Sequence, residues 1–189
     1  MKKLIITLII LCYAIGGYSQ EHLAFKGIPI EGNINSFCQK LKSKGFMQIH
    51  SQDNIRLFTG NFTGREATVG VVADQGGNDV YSVVILFPSN KEWNQLVNTY
   101  EYYKELYEEK YGTPTYHKEH NPSRMDSNDS LMIELNQGTV TYISIFEVPG
   151  GSIELSINKA DEILKGQVVI RYKDSQNESA KRKSDLDEI

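Results

Sequence analysis

The sequence predicts an α+β fold in which two main helices pack on one face of antiparallel sheet. Two segments carry the 3.6-residue apolar period of an amphipathic helix, and the rest of the chain is rich in short alternating or apolar runs bounded by turn residues. The order of one helix followed by four strands occurs twice, which is compatible with a duplicated α-β-β-β-β unit. We therefore expect a two-layer architecture, with helices on one side of the sheet.

The first helix is predicted in the segment NINSFCQKLKSKGF. Its apolar residues occur at i, i+3, i+4 and i+7, namely Ile34, Phe37, Cys38 and Leu41. Asn33 or Asn35 can cap its start, and Gly45 ends it. Cys38 is then a small buried residue of the core face.

Four strands are predicted after this helix, at residues 46–50, 55–59, 67–73 and 80–87. The third has alternating apolar residues, and DQGGND forms a hairpin loop before the fourth. The fourth, VYSVVILF, is apolar on both faces. It therefore predicts a central strand that is covered on both sides or flanked by strands with large side chains.

The second helix is predicted in WNQLVNTYEYYKELYEEKYG, with Ser89 and Glu92 as a capping box and Gly112 and Pro114 at its end. One stripe collects Trp93, Leu96, Val97, Tyr100, Tyr107 and Tyr111, with Tyr103 and Leu106 on its flank. Most of the aromatic residues are thus predicted to be core. Tyr102 lies on the opposite, polar side.

The second half continues with a strand at residues 115–118 and a polar loop at residues 119–130. Further strand-like segments follow, namely LMIEL, TVTYISIFEV, SIELSI and QVVIRY. Short turns containing Gly138 and the pair Gly150 and Gly151 separate them. Such short turns predict antiparallel meanders.

Residues 1–19 have the pattern of a secretory signal peptide. Lys2 and Lys3 precede an apolar run, and small residues before the junction predict cleavage between Ser19 and Gln20. The alternative is a retained anchor, but the run is shorter than the about 20 residues that a membrane span needs. We expect an exported protein, periplasmic or secreted, with no membrane span after cleavage.

The mature chain is predicted to form a single α+β domain over residues 20–172, followed by a disordered tail over residues 173–189. The tail, KDSQNESAKRKSDLDEI, has mixed charge and only Leu186 and Ile189 as large apolar residues. Such a composition buries too little surface to offset the entropy of ordering.

Charge and cysteine content exclude several classes. Removing Lys2 and Lys3 from the 20 basic residues leaves 18 against 24 acidic ones, a formal charge of −6. No basic stripe is present, so we expect no binding to nucleic acid. Cys38 would be the lone cysteine of the mature chain, which rules out an internal disulfide framework.

Three segments together resemble a group of small exported proteins: FKGIPIEGNINSFCQKLKSKGF, then FP followed by WNQLVNTYEYYKELYEEKYGTP, and GQVVIRYKDSQNE. This is an uncharacterised family of signal-peptide-bearing proteins of anaerobic, gut-type bacteria, with no assigned activity. The resemblance covers most of the mature chain and rests on Gly, Pro, aromatic and helix-end positions. It implies location and fold, and it supplies no catalytic residue.

The segment YHKEH is a candidate metal site, with His117, Glu119 and His120 as the candidate ligands. Zinc needs three or four converging ligands, and on a strand His117 and Glu119 share a face while His120 points away. An exposed strand edge is the competing interpretation. No metal and no cofactor is predicted.

The sequence contains no G-x-S-x-G pattern, the nucleophile elbow of many hydrolases. The leading hypothesis is therefore an exported, non-enzymatic protein that binds an unknown envelope or extracellular protein. Its contact surface is predicted around Tyr102 or in the loop at residues 119–130, and Tyr116 and His117 are further contact candidates. The alternatives are a small-molecule or metal-binding protein with a pocket near Tyr116 and His117, and a small secreted hydrolase.

Overall fold

The fold consists of ten strands and four helices in a computed structural model that describes residues 21–121 and 127–189. The strands are β1 Ala24–Phe25, β2 Ile28–Pro29, β3 Met47–Gln52, β4 Ile55–Phe62, β5 Arg65–Ala73, β6 Val80–Leu86, β7 Tyr116–His120, β8 Thr141–Val148, β9 Gly151–Lys159 and β10 Gly166–Asp174. The helices are α1 Ile34–Ser43, α2 Trp93–Tyr111, α3 Asn128–Gln137 and α4 Ser175–Asp187.

Eight strands form one sheet in the order β3-β4-β5-β6-β10-β9-β8-β7, and every neighbouring pair is antiparallel. Strands β3 to β6 form one meander after α1. Strands β7 to β10 form a second meander after α2, with α3 inserted between β7 and β8. The two meanders meet where β6 pairs with β10. The predicted α+β class is confirmed. The first half has one helix followed by four strands, and the second half has the same order interrupted by α3.

Helices pack against one face of this sheet. The core cluster contains alternate residues of the strands, such as Val83 and Ile85 in β6 and Ile170 and Tyr172 in β10, together with the buried residues of α1, α2 and α3. Val169 is also buried, yet it lies outside that cluster. Because successive side chains of a strand point to opposite faces, Val169 belongs to the other face.

Helix α1 agrees with its prediction. The Asn33 side chain accepts a hydrogen bond from the backbone N–H of Asn35 at 2.9 Å, and the helix ends before Gly45, whose φ is +91°. A left-handed residue after the last turn is the conformation that glycine adopts most easily. Cys38 is buried on the core face, and burial raises the pKa of its thiol.

Helix α2 begins later than its predicted capping box. Asn90 pairs with Gly166 of β10 as an isolated bridge, which leaves Ser89 outside the helix. The first helical N–H, that of Trp93, donates to Asn128 Oδ1 at 2.7 Å, and Glu92 makes no side-chain cap. A residue distant in the sequence therefore satisfies this donor, which a local pattern cannot show.

The predicted aromatic stripe of α2 is confirmed. Its buried residues are Trp93, Leu96, Tyr100, Tyr103 and Tyr107. Of the two residues expected on its flank, Tyr103 is only 1 % exposed, whereas Leu106 is 37 % exposed. Tyr102, expected on the polar side, is 40 % exposed. The stripe serves as the wide core face of one amphipathic helix.

The segment LMIEL, expected as a strand, lies in helix α3. Ser127 caps the helix by accepting a hydrogen bond from the N–H of Ser130, and the buried residues are Leu131, Met132 and Leu135. Alternation would have buried Ile133, which is 44 % exposed. A run of five residues fits both the helical period and strand alternation, so its pattern alone could not distinguish a helix from a strand.

The predicted disordered tail is ordered in the structure: residues 173–174 end strand β10, and helix α4 follows. The helix has no buried residue, in keeping with its polar composition. It is held by polar contacts, because Asn177 Nδ2 donates to the carbonyls of Ile30 at 3.1 Å and Val80 at 2.9 Å. Composition does not show such contacts, which is why the prediction failed.

Two predictions concern residues that lie partly or wholly outside the described ranges. The signal peptide and its cleavage site between Ser19 and Gln20 lie outside the described residues, as do residues 122–126 of the predicted polar loop. Within the described ranges, none of the four helices combines the length and the apolar character that crossing a bilayer requires.

Four core tyrosines make stability sensitive to alkaline pH. Burial raises the pKa of Tyr100 to about 12 and also raises the pKa of Tyr103, Tyr107 and Tyr172. In the unfolded chain the pKa of tyrosine is about 10. Between that pH and the raised pKa values of the folded state, only the unfolded state releases these protons. Stability should therefore be independent of these groups below about pH 10 and fall above it.

Replacing Tyr100 by phenylalanine is expected to reduce this alkaline slope by up to about 1.4 kcal/mol per pH unit. Urea unfolding between about pH 8 and about pH 11 measures the slope, and tyrosinate absorbance reports ionisation. A folded protein in which every tyrosine has a pKa of about 10 would contradict the prediction.

Candidate functional site

The sheet face opposite the helices is partly exposed, and we call it the open face. One row of paired residues crosses seven strands on this face: Leu57, Gly70, Val84, Arg171, Glu154, Ile145 and Tyr116. Leu57, Val84 and Ile145 are half-buried, and Tyr116 is 49 % exposed. The row is mainly apolar, with a charged pair at its centre.

The open face is large enough for a protein interface. Eight strands at spacings of about 4.8 Å span about 34 Å. Central strands of seven to nine residues are about 25 Å long. The resulting area of about 850 Å² is close to the roughly 800 Å² that each partner buries in an interface of standard size.

At the centre of the open face, two cationic side chains lie beside one carboxylate. Arg171 Nη1 lies 3.3 Å from Glu154 Oε1, and Lys173 Nζ lies 3.6 Å from Glu154 Oε2. Two cations therefore share one carboxylate. A partner that places a carboxylate over this point would complete the second ion pair.

The candidate metal ligands are held in an ion-pair cluster at the edge strand β7. His117 Nε2 lies 3.2 Å from Glu119 Oε1, and Lys104 Nζ donates to Glu119 Oε1 at 2.8 Å and to Glu101 Oε2 at 3.2 Å. His120 follows Glu119 on the strand and so points to the opposite face. The structure thus brings His117 and Glu119 together without His120.

Within residues 21–121 and 127–189, no group of three His, Cys, Asp or Glu side chains converges as metal ligands would. Lys104 occupies the position beside Glu119 instead. Burial lowers the pKa of Lys104, but its hydrogen bonds to Glu119 and Glu101 outweigh that effect and leave the pKa raised. A permanent ammonium group at Glu119 disfavours a second cation there.

Ser144, His117 and Glu119 form a string of close polar contacts with the residue types of a hydrolase triad. Ser144 Oγ lies 3.0 Å from His117 Nδ1. A nucleophile must reach the substrate, but Ser144 is fully buried in β8 and its Oγ also lies 2.7 Å from the Tyr100 hydroxyl. The string joins helix α2 to the sheet, and it does not present a nucleophile.

The three contact candidates lie on different surfaces. Tyr102 is on the outer side of α2, where the Arg65 guanidinium stands 5.1 Å from its ring centroid. Tyr116 lies on the open face, in the row that includes Ile145. His117, the next residue, points to the helix side. Tyr116 alone of the three belongs to the open face.

Sequence reasoning missed the open face because VYSVVILF is apolar on both sides. A neighbouring strand carried a partial signal: in β10, Val168, Ile170 and Tyr172 alternate with Gln167, Val169, Arg171 and Lys173, and three of these four are polar. Such alternation indicates a strand with one face against the core and one partly in water. Comparison of the whole chain with protein-family models, with curated proteins and with solved structures returned no match.

Proposed function

We propose that this protein is an exported, non-enzymatic interaction module of the bacterial envelope that binds a partner protein through its open face. The observation that carries the proposal is the partly exposed apolar row across seven strands, on an area of interface size. The signal-peptide pattern of residues 1–19 supports export, to the periplasm or beyond the cell.

The chemistry of the open face defines the partner. Half-buried aliphatic side chains and the exposed ring of Tyr116 favour an apolar protein surface, and tyrosine is enriched at binding hot spots. The pair of cations that shares Glu154 favours a carboxylate at the centre of the partner's surface. The overall acidic charge disfavours nucleic acid as an alternative.

The proposal is tested by crosslinking the tagged protein in its native envelope and identifying what co-purifies. We expect one reproducible partner protein. Self-crosslinking alone would show that the protein associates with itself, and a second copy would replace the proposed partner. Absence of any crosslinked protein in several growth conditions would contradict an interaction module.

A triple variant with Val84→Thr, Ile145→Thr and Tyr116→Thr is expected to reduce partner capture at least about tenfold. Threonine has the β-branched shape that strands favour and removes apolar contact surface at all three positions, so the melting temperature should change by only a few degrees. Quantitative co-purification and thermal unfolding measure the two effects.

Tyr102→Ala is the matched control, because it removes an exposed tyrosine from the other side of the molecule. Its partner capture and melting temperature should remain close to those of the unmodified protein. If Tyr102→Ala lost the partner while the triple variant kept it, the contact surface would be the outer side of α2, and the open face would be excluded.

A further inference from the structure

A second concave surface lies away from the open face, between helix α2, the β1–β2 turn and the β4–β5 turn. It is a cleft of about 440 Å³, within the range of small-molecule sites. Aromatic rings form much of its lining: Phe62, Tyr103, Tyr107 and Tyr172. This cleft is separate from the region of Tyr116 and His117, where the sequence placed its alternative pocket.

The tyrosine hydroxyls of the cleft bond to groups of the protein itself. Those of Tyr107 and Tyr172 lie 2.8 Å apart, and that of Tyr103 lies 2.7 Å from Thr63 Oγ1. Only the edges of these rings reach the cleft, because Phe62, Tyr107 and Tyr172 are 6–7 % exposed and Tyr103 is 1 % exposed. Leu106 extends the same apolar surface at the rim, where it is 37 % exposed.

Two lysines line the cleft beside these rings. Lys26 Nζ stands 5.6 Å from the ring centroid of Phe62, and Lys110 follows Tyr107 by three positions on α2. The ion pairs that lysines make among the described residues involve neither Lys26 nor Lys110. Lys110 Nζ lies 4.8 Å from the ring centroid of Tyr111. The cleft thus has two ammonium groups that lie over aromatic rings and have no carboxylate partner among the described residues.

Lys26 occupies a backbone position that lysine seldom adopts. The two-residue turn between β1 and β2 has φ values of +51° at Lys26 and +75° at Gly27. Both values lie in the left-handed region, where hairpins favour asparagine followed by glycine. A lysine placed here against local preference is consistent with a role for its side chain, since strain of this kind is concentrated at functional sites.

We propose that this cleft binds a small carboxylate with an apolar body, which lies on Leu106 and on the exposed ring edges of Phe62, Tyr107 and Tyr172, while the carboxylate lies between Lys26 and Lys110. The apolar lining favours such a body, and the two ammonium groups favour a negative charge at one end. This site is independent of the partner proposed for the open face.

The probe is 2-naphthoate, with 2-naphthamide as its uncharged analogue, titrated by calorimetry into the chain from Gln20 onward. We expect saturable binding of the carboxylate that weakens as salt is added. The amide should bind at least about tenfold more weakly. On binding, the largest nuclear magnetic resonance shifts should occur at Leu106, Tyr107 and Lys110.

The decisive variant combines Lys26→Asn with Lys110→Gln. Asparagine suits the turn better than lysine, so the folded protein should melt at the same temperature or higher while binding of 2-naphthoate falls at least about tenfold. Lys159→Gln, an exposed lysine at the end of β9, is the control and should leave binding unchanged.

Three results would overturn the proposal. Equal affinity for the carboxylate and the amide would show that the lysines do not select charge. Binding of 2-naphthoate to the double variant with unchanged affinity would also show that the lysines do not select charge. No saturable binding of 2-naphthoate up to a concentration of about 1 mM would remove the site altogether.

Discussion

Replacing Phe25 with alanine is expected to lower the free energy of unfolding by about 4 kcal/mol. Phe25 is fully buried, and its ring centroid lies 5.4 Å from that of Tyr172 and 5.9 Å from that of Phe62. Truncation removes the apolar surface of the ring and leaves a cavity among rigid aromatic neighbours, which cannot collapse to fill it.

Urea denaturation at neutral pH measures this loss. Phe25→Leu keeps most of the buried volume and should lose about half as much or less. Tyr102→Ala, which truncates an exposed ring, should lose no more than about 1 kcal/mol. A loss of under about 1 kcal/mol for Phe25→Ala would show that the β1–β2 hairpin is not part of the core.

Replacing Asp174 with alanine is expected to cost about 3 kcal/mol. Asp174 is fully buried at the junction of β10 and α4. Its Oδ2 accepts the Leu23 N–H at 2.9 Å and lies 3.0 Å from His22 Nδ1, and its Oδ1 accepts the Asn177 N–H at 3.0 Å. Alanine leaves these buried or half-buried donors without their acceptor and removes the N-cap of α4.

Chemical denaturation and hydrogen exchange together test this prediction. In Asp174→Ala the amides of Leu23 and of the first turn of α4 should exchange faster than the sheet amides. Asp185→Ala removes an exposed carboxylate of the same helix and should cost no more than about 0.5 kcal/mol. Equal losses for the two variants would refute a special role for Asp174.

Asp174 also changes how the C-terminal segment should be tested. A deletion of residues 173–189 would remove this buried carboxylate together with the helix. Loss of partner capture on such a deletion would therefore report a damaged fold as readily as a lost contact. Substitutions on the exposed side of α4, such as Asp185→Ala, separate the two effects.

The elements that were predicted correctly have local causes. Helix α1 has its cap, its apolar spacing and its terminal glycine within 13 consecutive residues, from Asn33 to Gly45. The stripe of α2 repeats over 19 residues, long enough to distinguish a helical period from alternation. Glycine-containing turns marked the meanders for the same reason.

The elements that were not predicted depend on residues far apart in the sequence. Asn128 satisfies the N-terminus of α2, Asn177 ties α4 to two distant carbonyls, and Asp174 joins the two ends of the described chain. Each contact is polar and long-range. Neither composition nor periodicity records which donor meets which acceptor.

The two candidate surfaces, the open face and the cleft, also depend on residues far apart in the sequence. No single strand shows that Leu57, Val84 and Ile145 belong to one row, because that row requires the register of seven strands. The cleft likewise combines Lys26 with Tyr103 and Lys110, which only the packing of the β1–β2 hairpin beside α2 makes neighbours.

The sequence by itself determined the α+β class, the core face of each long helix and the turns, because these follow from side-chain periods and backbone preferences within a few neighbouring residues. Only the tertiary structure decided which sheet face stays open, where the aromatic cleft lies and that the C-terminal segment is ordered. Those features arise from strand register and from hydrogen bonds between distant residues, whose partners are specified when the whole chain has folded.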